Sequence, residues 1–273
     1  MEIRILSDIF VLEHGNKAQK IMNGLISEFD AGKLHVKVFE TRAQMGKAAS
    51  EWYLAKVREK ISEKGYVRAV FAAAHSQEDF FQGLIEDSSA DFSCIDAFHM
   101  DEYIGLTQDA PQLFSNFLTR TIFSRKPFRS INLMRPEAGD SQRYAALLKA
   151  APLDIVSLGI GENGHIAFND PHEAHFDDPE TVKVTTLDGK CRQQQVNDGE
   201  FASVDLVPEH ALTMTIPALM SCRTVVGIVP DSRKAEAVKL ALTGPVSESC
   251  PASILRTHDD AVLFLDKDAA GLL

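Results

Sequence analysis

Apolar and polar positions along the chain follow two alternating periods, which predict alternating strands and helices. Short apolar, often β-branched runs predict strands at 35–40, 67–74, 94–99, 153–160, 182–186, 223–230 and 261–265, with a short extended segment at 130–134. Segments with helical spacing predict helices at 18–29, 42–64, 111–123, 141–151 and 232–241, and another around 80–84. This order predicts an α/β fold, a single domain with a largely parallel, doubly wound (Rossmann-like) sheet and helices on both faces.

The N-terminal part carries the least information. Residues 18–29 place their larger apolar side chains on one face of a helix: Ile21, Met22, Leu25, Ile26 and Phe29. Residues 1–34 are interpreted as an N-terminal extension or extra layer, and residues 35–273 as the main domain. Thr41 is expected to cap the helix that follows the strand at 35–40. The buried face of that helix is predicted from its apolar spacing: Met45, Ala48, Ala49, Trp52 and Ala55.

A dense set of polar groups follows the buried run at 153–160, in the stretch GIGENGHIAFNDP. Ligands of open α/β sheets bind beyond the carboxyl ends of strands, so an active site is expected here. His165 lies between groups that can accept its ring N–H, which is typical of proton transfer near neutral pH. The glycine spacing also fits a dinucleotide fingerprint, but Pro171 follows where that fingerprint needs a helix. No nicotinamide, flavin or other cofactor is expected.

Composition narrows the function classes. A formal charge of −11 and a pI near 5.3 argue against partners such as nucleic acid or a membrane surface, so an anionic substrate must meet a few local cations. No signal-peptide pattern or membrane-length apolar run is seen. Four cysteines lack zinc-type or redox-type spacing. A soluble, cytoplasmic protein with reduced thiols is expected.

Two motifs about sixty residues apart carry a family resemblance. GIGENGHIAFNDP, together with MDEYIGL at residues 100–106, resembles the glucosamine-6-phosphate deaminase/isomerase family, which is related to the 6-phosphogluconolactonases. The residues Ile166 to Asn169 resemble the deaminases rather than the lactonases. The chain departs from the usual motif twice, because Asn163 stands at a family aspartate and Asp170 at a family glutamate.

The resemblance implies catalytic roles for four residues. Asp101 would be the base that removes the C2 proton, and His165 would assist opening of the pyranose ring. Asn163 and Asp170 would orient the imidazole, since an amide can accept the ring N–H without adding negative charge. Glu102 and Gly164 are assigned as further substrate contacts beside these residues.

Three residues are expected at the substrate phosphate. Lys234 matches the family's phosphate-binding lysine. Ser76 fits a hydroxyl position in a turn that lacks the family's glycines, although it could merely cap the next helix. Simple counting puts Gln195 at the family's phosphate-binding arginine. Arg192, three residues earlier, could bind the phosphate with two hydrogen bonds if its loop shifts. The alternative is that Arg192 is an ordinary surface arginine.

The resemblance implies an aldose–ketose isomerase or deaminase that acts on an amino-sugar phosphate and releases a ketose phosphate and ammonia. Two alternatives stay open: a sugar-phosphate isomerase or lactonase, and a sugar-phosphate-binding regulator without turnover. A homo-oligomer is left open. A metal site at His165, His172 and His175 is not expected, because their spacing fits no regular ligand set and the family's chemistry uses no metal.

Overall fold

The computed structural model describes residues 4–5 and 24–273. The strands are β1 (Arg4–Ile5), β2 (Leu25–Ala31), β3 (Leu34–Phe39), β4 (Val67–Phe71), β5 (Ile95–His99), β6 (Asp101–Tyr103), β7 (Ser130–Asn132), β8 (Ile155–Leu158), β9 (Val182–Thr186), β10 (His210–Met214), β11 (Thr224–Val229) and β12 (Ala261–Asp266). The α-helices are α1 (Arg42–Lys64), α2 (Glu78–Glu86), α3 (Phe114–Leu118), α4 (Asp140–Lys149), α5 (Gly189–Asn197), α6 (Ile216–Met220) and α7 (Ala235–Thr243).

The described strands form one large sheet and one small one. The large sheet has nine strands in the order β1-β2-β3-β12-β11-β8-β4-β5-β7. Pairing is parallel from β3 to β7, and only β1 and β2 join it antiparallel. The small sheet, β6-β10-β9, is antiparallel. The predicted α/β class with a largely parallel sheet is therefore confirmed.

Apolar side chains of the large sheet divide between two cores, one on each face. In β4, Val70 belongs to one core, whereas its neighbours Ala69 and Phe71 belong to the other. Helices α1 and α2 cover the second core, and α4 and α7 cover the first. Strands buried on both faces explain why the sequence shows continuous apolar runs rather than alternation.

Helix α1 begins and ends where its capping residues predict. The Thr41 side chain accepts a hydrogen bond from the Gln44 N–H, and Gly65 at φ 83° ends the helix in the left-handed conformation. The predicted buried face is only partly correct, because Ala55 is exposed and Tyr53 and Leu54 are buried instead.

The predicted helix at 18–29 is wrong where it can be compared. Leu25–Ala31 is a strand that pairs antiparallel with β3, and Ile26 is exposed. The helical spacing is coincidental here, because the free edge of β3 offers backbone hydrogen bonds that a helix packed on the sheet would leave unpaired. Residues 18–23 lie outside the described part of the chain.

The other predicted elements are confirmed with small shifts in their bounds. The helix predicted at 111–123 begins at Phe114, and its second half, Thr119–Phe123, is wound as a π-helix. The helix predicted after Asp231 opens with a 3-10 turn, Ser232–Lys234. Among the helices of residues 24–273, each is too short or too polar to cross a bilayer.

Candidate active site

Four adjacent parallel strands deliver side chains to one pocket. Ser76, Asp101, His165 and Lys234 follow β4, β5, β8 and β11 respectively, and all four line the same cleft. Within this group β8 lies between β11 and β4. The chain connections run in opposite directions along the sheet from this point. This is the topological switch point at which open α/β sheets bind ligands.

Asp101 lies at the start of β6, opposite Thr213 of β10, and is 7% exposed. Burial, followed by the charge of Glu102, raises its pKa well above the ordinary aspartate range. Within the described part of the chain, its carboxylate receives no hydrogen bond from another residue. A carboxylate that is desolvated and unsatisfied by the protein is suited to take a proton from a ligand.

Glu102 points away from the pocket, as expected for the next residue in a strand. It is fully buried, and its carboxylate accepts hydrogen bonds from the backbone N–H groups of Tyr103, Phe114 and Ser115 at 2.9–3.0 Å. Burial raises its pKa, and these hydrogen bonds oppose the rise. The predicted substrate contact of Glu102 is wrong, because its side chain caps α3.

Two glycines after β8, Gly161 and Gly164, allow close packing around the histidine loop. A Cβ on Gly161 would lie 2.2–2.4 Å from ring atoms of His165. Gly164 has a φ of 87°, and a Cβ there would come within 2.9 Å of the Cys250 sulfur. Gly164 therefore allows the loop to pack against Cys250. It does not line the pocket as a substrate contact.

His165 and Asp170 form the central pair of the site. His165 is 8% exposed, and its Nδ1 lies 3.0 Å from Asp170 Oδ1, although the contact is too bent for a full hydrogen bond. Burial alone would raise the pKa of Asp170. The contact with His165, the Asn163 amide and the Asp188 N–H together hold it down at about 2. Asp170 is therefore an ionised carboxylate beside the imidazole at neutral pH.

Asn163 occupies a different place from the one expected. Its amide nitrogen donates to Asp170 Oδ1 at 2.8 Å and to Asp188 Oδ2 at 2.9 Å. Its oxygen accepts the backbone N–H of His165 at 3.1 Å, not the ring N–H. The prediction that Asn163 accepts from the imidazole is wrong; the amide instead holds two carboxylates together.

The loop behind His165 is fixed to β10. The Asn169 amide donates to the carbonyls of Ile166 and Met214, and Thr213 Oγ1 accepts the Phe168 N–H at 3.0 Å. Since Thr213 pairs with Asp101 in the small sheet, the loop and the candidate base share one support.

The turn after β4 is pinned by Gln77 rather than capped by Ser76. Gln77 is buried, and its amide donates to the Ile228 carbonyl and to Ser76 Oγ, each at 3.1 Å. The Ser76 side chain makes no capping bond to the helices that follow, which excludes the alternative that it is only a helix cap. Its hydroxyl proton remains available to a ligand.

Lys234 supplies a buried cation at the other end of the pocket. Lys234 is 6% exposed. Burial lowers the pKa of its ammonium group, whereas the charges of Asp198 and Glu162 oppose that effect. Within residues 24–273 its ammonium forms no hydrogen bond or close ion pair with another side chain. Arg233 beside it is neutralised, because it pairs with Asp198 at 2.9 Å and Asp231 at 3.1 Å.

Arg192 does not reach the pocket. Its guanidinium donates to the carbonyls of Val204 and Val207 at 2.8–3.0 Å, so it supports the loop after α5. The predicted role as a phosphate ligand is wrong. Gln195, which counting places at the family's arginine, does line the pocket and is 6% exposed.

Sequence reasoning missed two basic residues at the pocket. Arg42 opens α1 and contacts Asp79 at 2.5 Å and the His75 carbonyl. His75 links two loops, since its ring nitrogens lie 2.8 Å from Glu78 and 2.9 Å from Glu200. Burial lowers the pKa of His75, but these carboxylates raise it overall. The signal for Arg42 was a cation in the first turn of a helix, where a positive charge is disfavoured.

Possible metal ligands come together in two places among the described residues, and neither holds all three of His165, His172 and His175. The two groups are His165 with Asp170 and Cys191, and Asp170 with His172 and Asp188.

The chain is similar to known proteins over most of its length. Residues 40–264 match the model of the family described as glucosamine-6-phosphate isomerases/6-phosphogluconolactonase. The chain is 36% identical over 206 residues to glucosamine-6-phosphate deaminase of Streptococcus agalactiae serotype III, a match that covers 74% of this chain and 86% of the relative. It is 34% identical over 219 residues to glucosamine-6-phosphate deaminase of Listeria innocua, covering 79% of this chain and 92% of that one.

Solved structures show the same fold. A monomeric glucosamine-6-phosphate deaminase superimposes with a TM-score of 0.80 at 29% identity, covering 87% of this chain and 99% of that one. The 6-phosphogluconolactonase of Thermotoga maritima superimposes with a TM-score of 0.70 at 18% identity, covering 85% and 99% respectively. At that identity, the second likeness shows the fold alone.

Proposed function

Because the chain belongs to the glucosamine-6-phosphate isomerase/6-phosphogluconolactonase family, we propose that it is an aldose–ketose isomerase and deaminase of a hexosamine 6-phosphate. The proposal rests chiefly on one observation. Asp101 and His165 come from different strands and line one pocket, with the unpaired ammonium of Lys234 in the same pocket. A base, a proton carrier and an anion ligand are the three groups that the reaction needs.

In the first step, His165 moves a proton from the anomeric hydroxyl to the ring oxygen, which opens the pyranose. The ionised carboxylate of Asp170 supports this role, because it favours an imidazole that gains a proton transiently. Asn163 is a positioning residue, since it holds Asp170 without touching the ring.

In the second step, Asp101 removes the proton at C2 of the open aldose and delivers it to C1. The C2 amine becomes an imine, water adds to it, and ammonia leaves as the ketone forms. The raised pKa of Asp101 brings its affinity for a proton closer to the operating pH, which favours both removal and return of the proton.

The phosphate end is assigned to Lys234 and Ser76. Arg42 adds a second positive charge at this pocket, although Asp79 and the His75 carbonyl already engage it. Gln195 replaces the arginine of the resemblance, so the site holds fewer free cations than the family pattern would supply. The cytoplasm, where sugar phosphates are metabolised, is the proposed location.

Ammonia release from a panel of sugars tests the proposal. The panel contains glucosamine, galactosamine and mannosamine 6-phosphates, and unphosphorylated glucosamine as the control. We expect ammonia and a ketose phosphate from at least one phosphorylated sugar, and none from glucosamine. Binding of these sugars with no ammonia would instead support a non-catalytic regulator. Hydrolysis of 6-phosphogluconolactone without ammonia release would support the lactonase alternative.

A further inference from the structure

A cysteine that the proposed reaction does not use lies against the central pair of the site. One ligand atom from each of His165, Asp170 and Cys191 lies within 4.8 Å of the others, and all three residues are buried. Cys191 stands in the first turn of α5, whereas His165 and Asp170 stand in the loop after β8. The fold therefore brings a thiol, an imidazole and a carboxylate to one point from two separate segments.

The imidazole nitrogen that faces this point has one bent contact with the protein, to Asp170. His165 is more than nine-tenths buried, and its Nδ1 has no aligned hydrogen bond, although Asp170 Oδ1 is only 3.0 Å away. Asp170 Oδ1 accepts one bond from Asn163, which leaves an acceptor site on the same oxygen. The geometry thus presents an imidazole nitrogen without an aligned hydrogen bond beside a carboxylate and a thiol.

The donor set selects a class of ion. Thiolate and imidazole are preferred by Zn²⁺ and similar borderline or soft ions, and the hard ions Ca²⁺ and Mg²⁺ prefer oxygen ligands. Three protein ligands leave one tetrahedral position, which a water molecule can fill. The second group, Asp170 with His172 and Asp188, contains no thiol, and Asn163 already holds both of its carboxylates.

We propose that His165, Asp170 and Cys191 form a Zn²⁺-type site at which the ion inhibits the enzyme. Binding forms a metal–sulfur bond, and the thiol proton is released to solvent. The bound ion takes up the inner ring nitrogen, Nδ1, and the carboxylate oxygen that support the imidazole in the ring-opening step.

Binding and inhibition are tested separately, because only inhibition depends on the proposed function. Chelator-treated full-length protein is titrated with Cd²⁺, which reports a metal–thiolate bond by an ultraviolet charge-transfer band. The variants are Cys191→Ser and, as a matched control, Cys94→Ser, which removes a half-buried thiol elsewhere. We expect a band that saturates at one ion per chain in the wild type and in Cys94→Ser, and no such band in Cys191→Ser.

Inhibition of ammonia release by Zn²⁺ is then compared in the same proteins, each normalised to its own activity in chelator. Loss of an outer-shell partner already costs about 10- to 100-fold in metal affinity, so loss of the sulfur should raise the inhibition constant roughly 100-fold. Equal inhibition of the wild type and Cys191→Ser would overturn the inhibitory role. A wild type without a saturable band would overturn the site itself, whatever the folding of the variants and whether or not ammonia is released.

Discussion

At the scale of single residues, the amide of Asn163 is the feature that most distinguishes this site. Its two N–H groups face two carboxylates, Asp170 and Asp188, and its oxygen faces a backbone N–H. An amide satisfies all three contacts. An aspartate at this position would satisfy only the backbone contact and would bring three carboxylates together, so one of them would have to hold a proton.

We therefore predict that Asn163→Asp lowers the unfolding free energy by about 2 kcal/mol at pH 8, and by less at pH 5. The loss is larger at high pH because the three carboxylates share a proton, which raises the pKa of the group in the folded state. As pH rises through that pKa the proton is lost, and the destabilisation grows. Denaturant unfolding of the variant and the wild type at the two pH values measures this difference in unfolding free energy. A variant as stable as the wild type at pH 8 would show that the amide protons do not hold Asp170 and Asp188.

Lys234 carries a second prediction at this scale. Lys234→Ala should raise KM for the phosphorylated sugar by roughly 10- to 150-fold, because a charge-assisted hydrogen bond contributes about 1.5 to 3 kcal/mol. Lys239→Ala, which removes an exposed lysine from α7, is the control. An equal effect of Lys234→Ala on inhibition by phosphorylated and unphosphorylated sugar analogues would contradict a phosphate contact.

Residue identity was easier to predict than residue orientation. Asp101 and His165 stand in the two motifs and Lys234 follows β11, and all three line one pocket because each follows a buried strand. Glu102 and Arg192 were misassigned because a neighbour in sequence can face the opposite side of a strand or helix. Arg42 and His75 stand outside both motifs; Arg42 reaches the pocket through the packing of α1, and His75 follows β4 as Ser76 does.

At the scale of elements, the short helix α3 depends on a side chain from another strand. It has only five α-helical residues, and Glu102 binds the N–H groups of Phe114 and Ser115 at its start. A negatively charged acceptor at the N-terminus of α3 also interacts favourably with the helix dipole. The same contacts fix β6, on which Asp101 stands.

Glu102→Gln should lower the unfolding free energy by about 1 to 3 kcal/mol, because the glutamine NH₂ group leaves one buried backbone N–H without an acceptor. Thermal or denaturant unfolding measures the loss. Glu51→Gln, at an exposed position on α1, serves as the matched variant and should change little. If both variants were equally stable, Glu102 would not be the cap.

Element types were predictable where burial and periodicity agree. In the parallel strands and in α1 the two signals agree, and the Thr41 cap of α1 was also predicted. The strand β2 could not be predicted from its own sequence, because its pattern fits a helix and its state is decided by pairing with β3. The π-helical turn at Thr119–Phe123 likewise leaves no local signal.

At the scale of the whole molecule, the protein is strongly acidic, and several of its buried carboxyl groups lie at or near the pocket. The pKa of Asp101 and Glu102 is raised, chiefly by burial, whereas that of Asp170 is lowered to about 2. These groups affect acid stability in opposite directions. The depressed carboxylate stabilises the fold above the unfolded pKa of aspartate, and that contribution is lost as pH falls toward 2.

We expect the wild type to lose roughly 2 kcal/mol more than Asp170→Asn when pH is lowered from about 5 to about 2. Denaturant unfolding at a series of pH values gives both curves. Asp177→Asn, in the loop beyond Pro171, is the control and should follow the wild type. Parallel curves for the wild type and Asp170→Asn would mean that Asp170 titrates alike in the folded and unfolded chain.

The central claim is that Asp101 shuttles a proton between C2 and C1 of an open amino-sugar phosphate. It is tested most directly by running the reaction in D₂O and measuring deuterium at C1 of the ketose phosphate, for the wild type and for Asp101→Asn. The variant should remain folded, because it replaces a costly buried charge by an amide of the same shape. We predict deuterium at C1 with the wild type, because the proton held on Asp101 exchanges with D₂O before it returns, and a rate about 100- to 10,000-fold lower with the variant. Deuterium incorporation by Asp101→Asn at the wild-type rate would contradict the account.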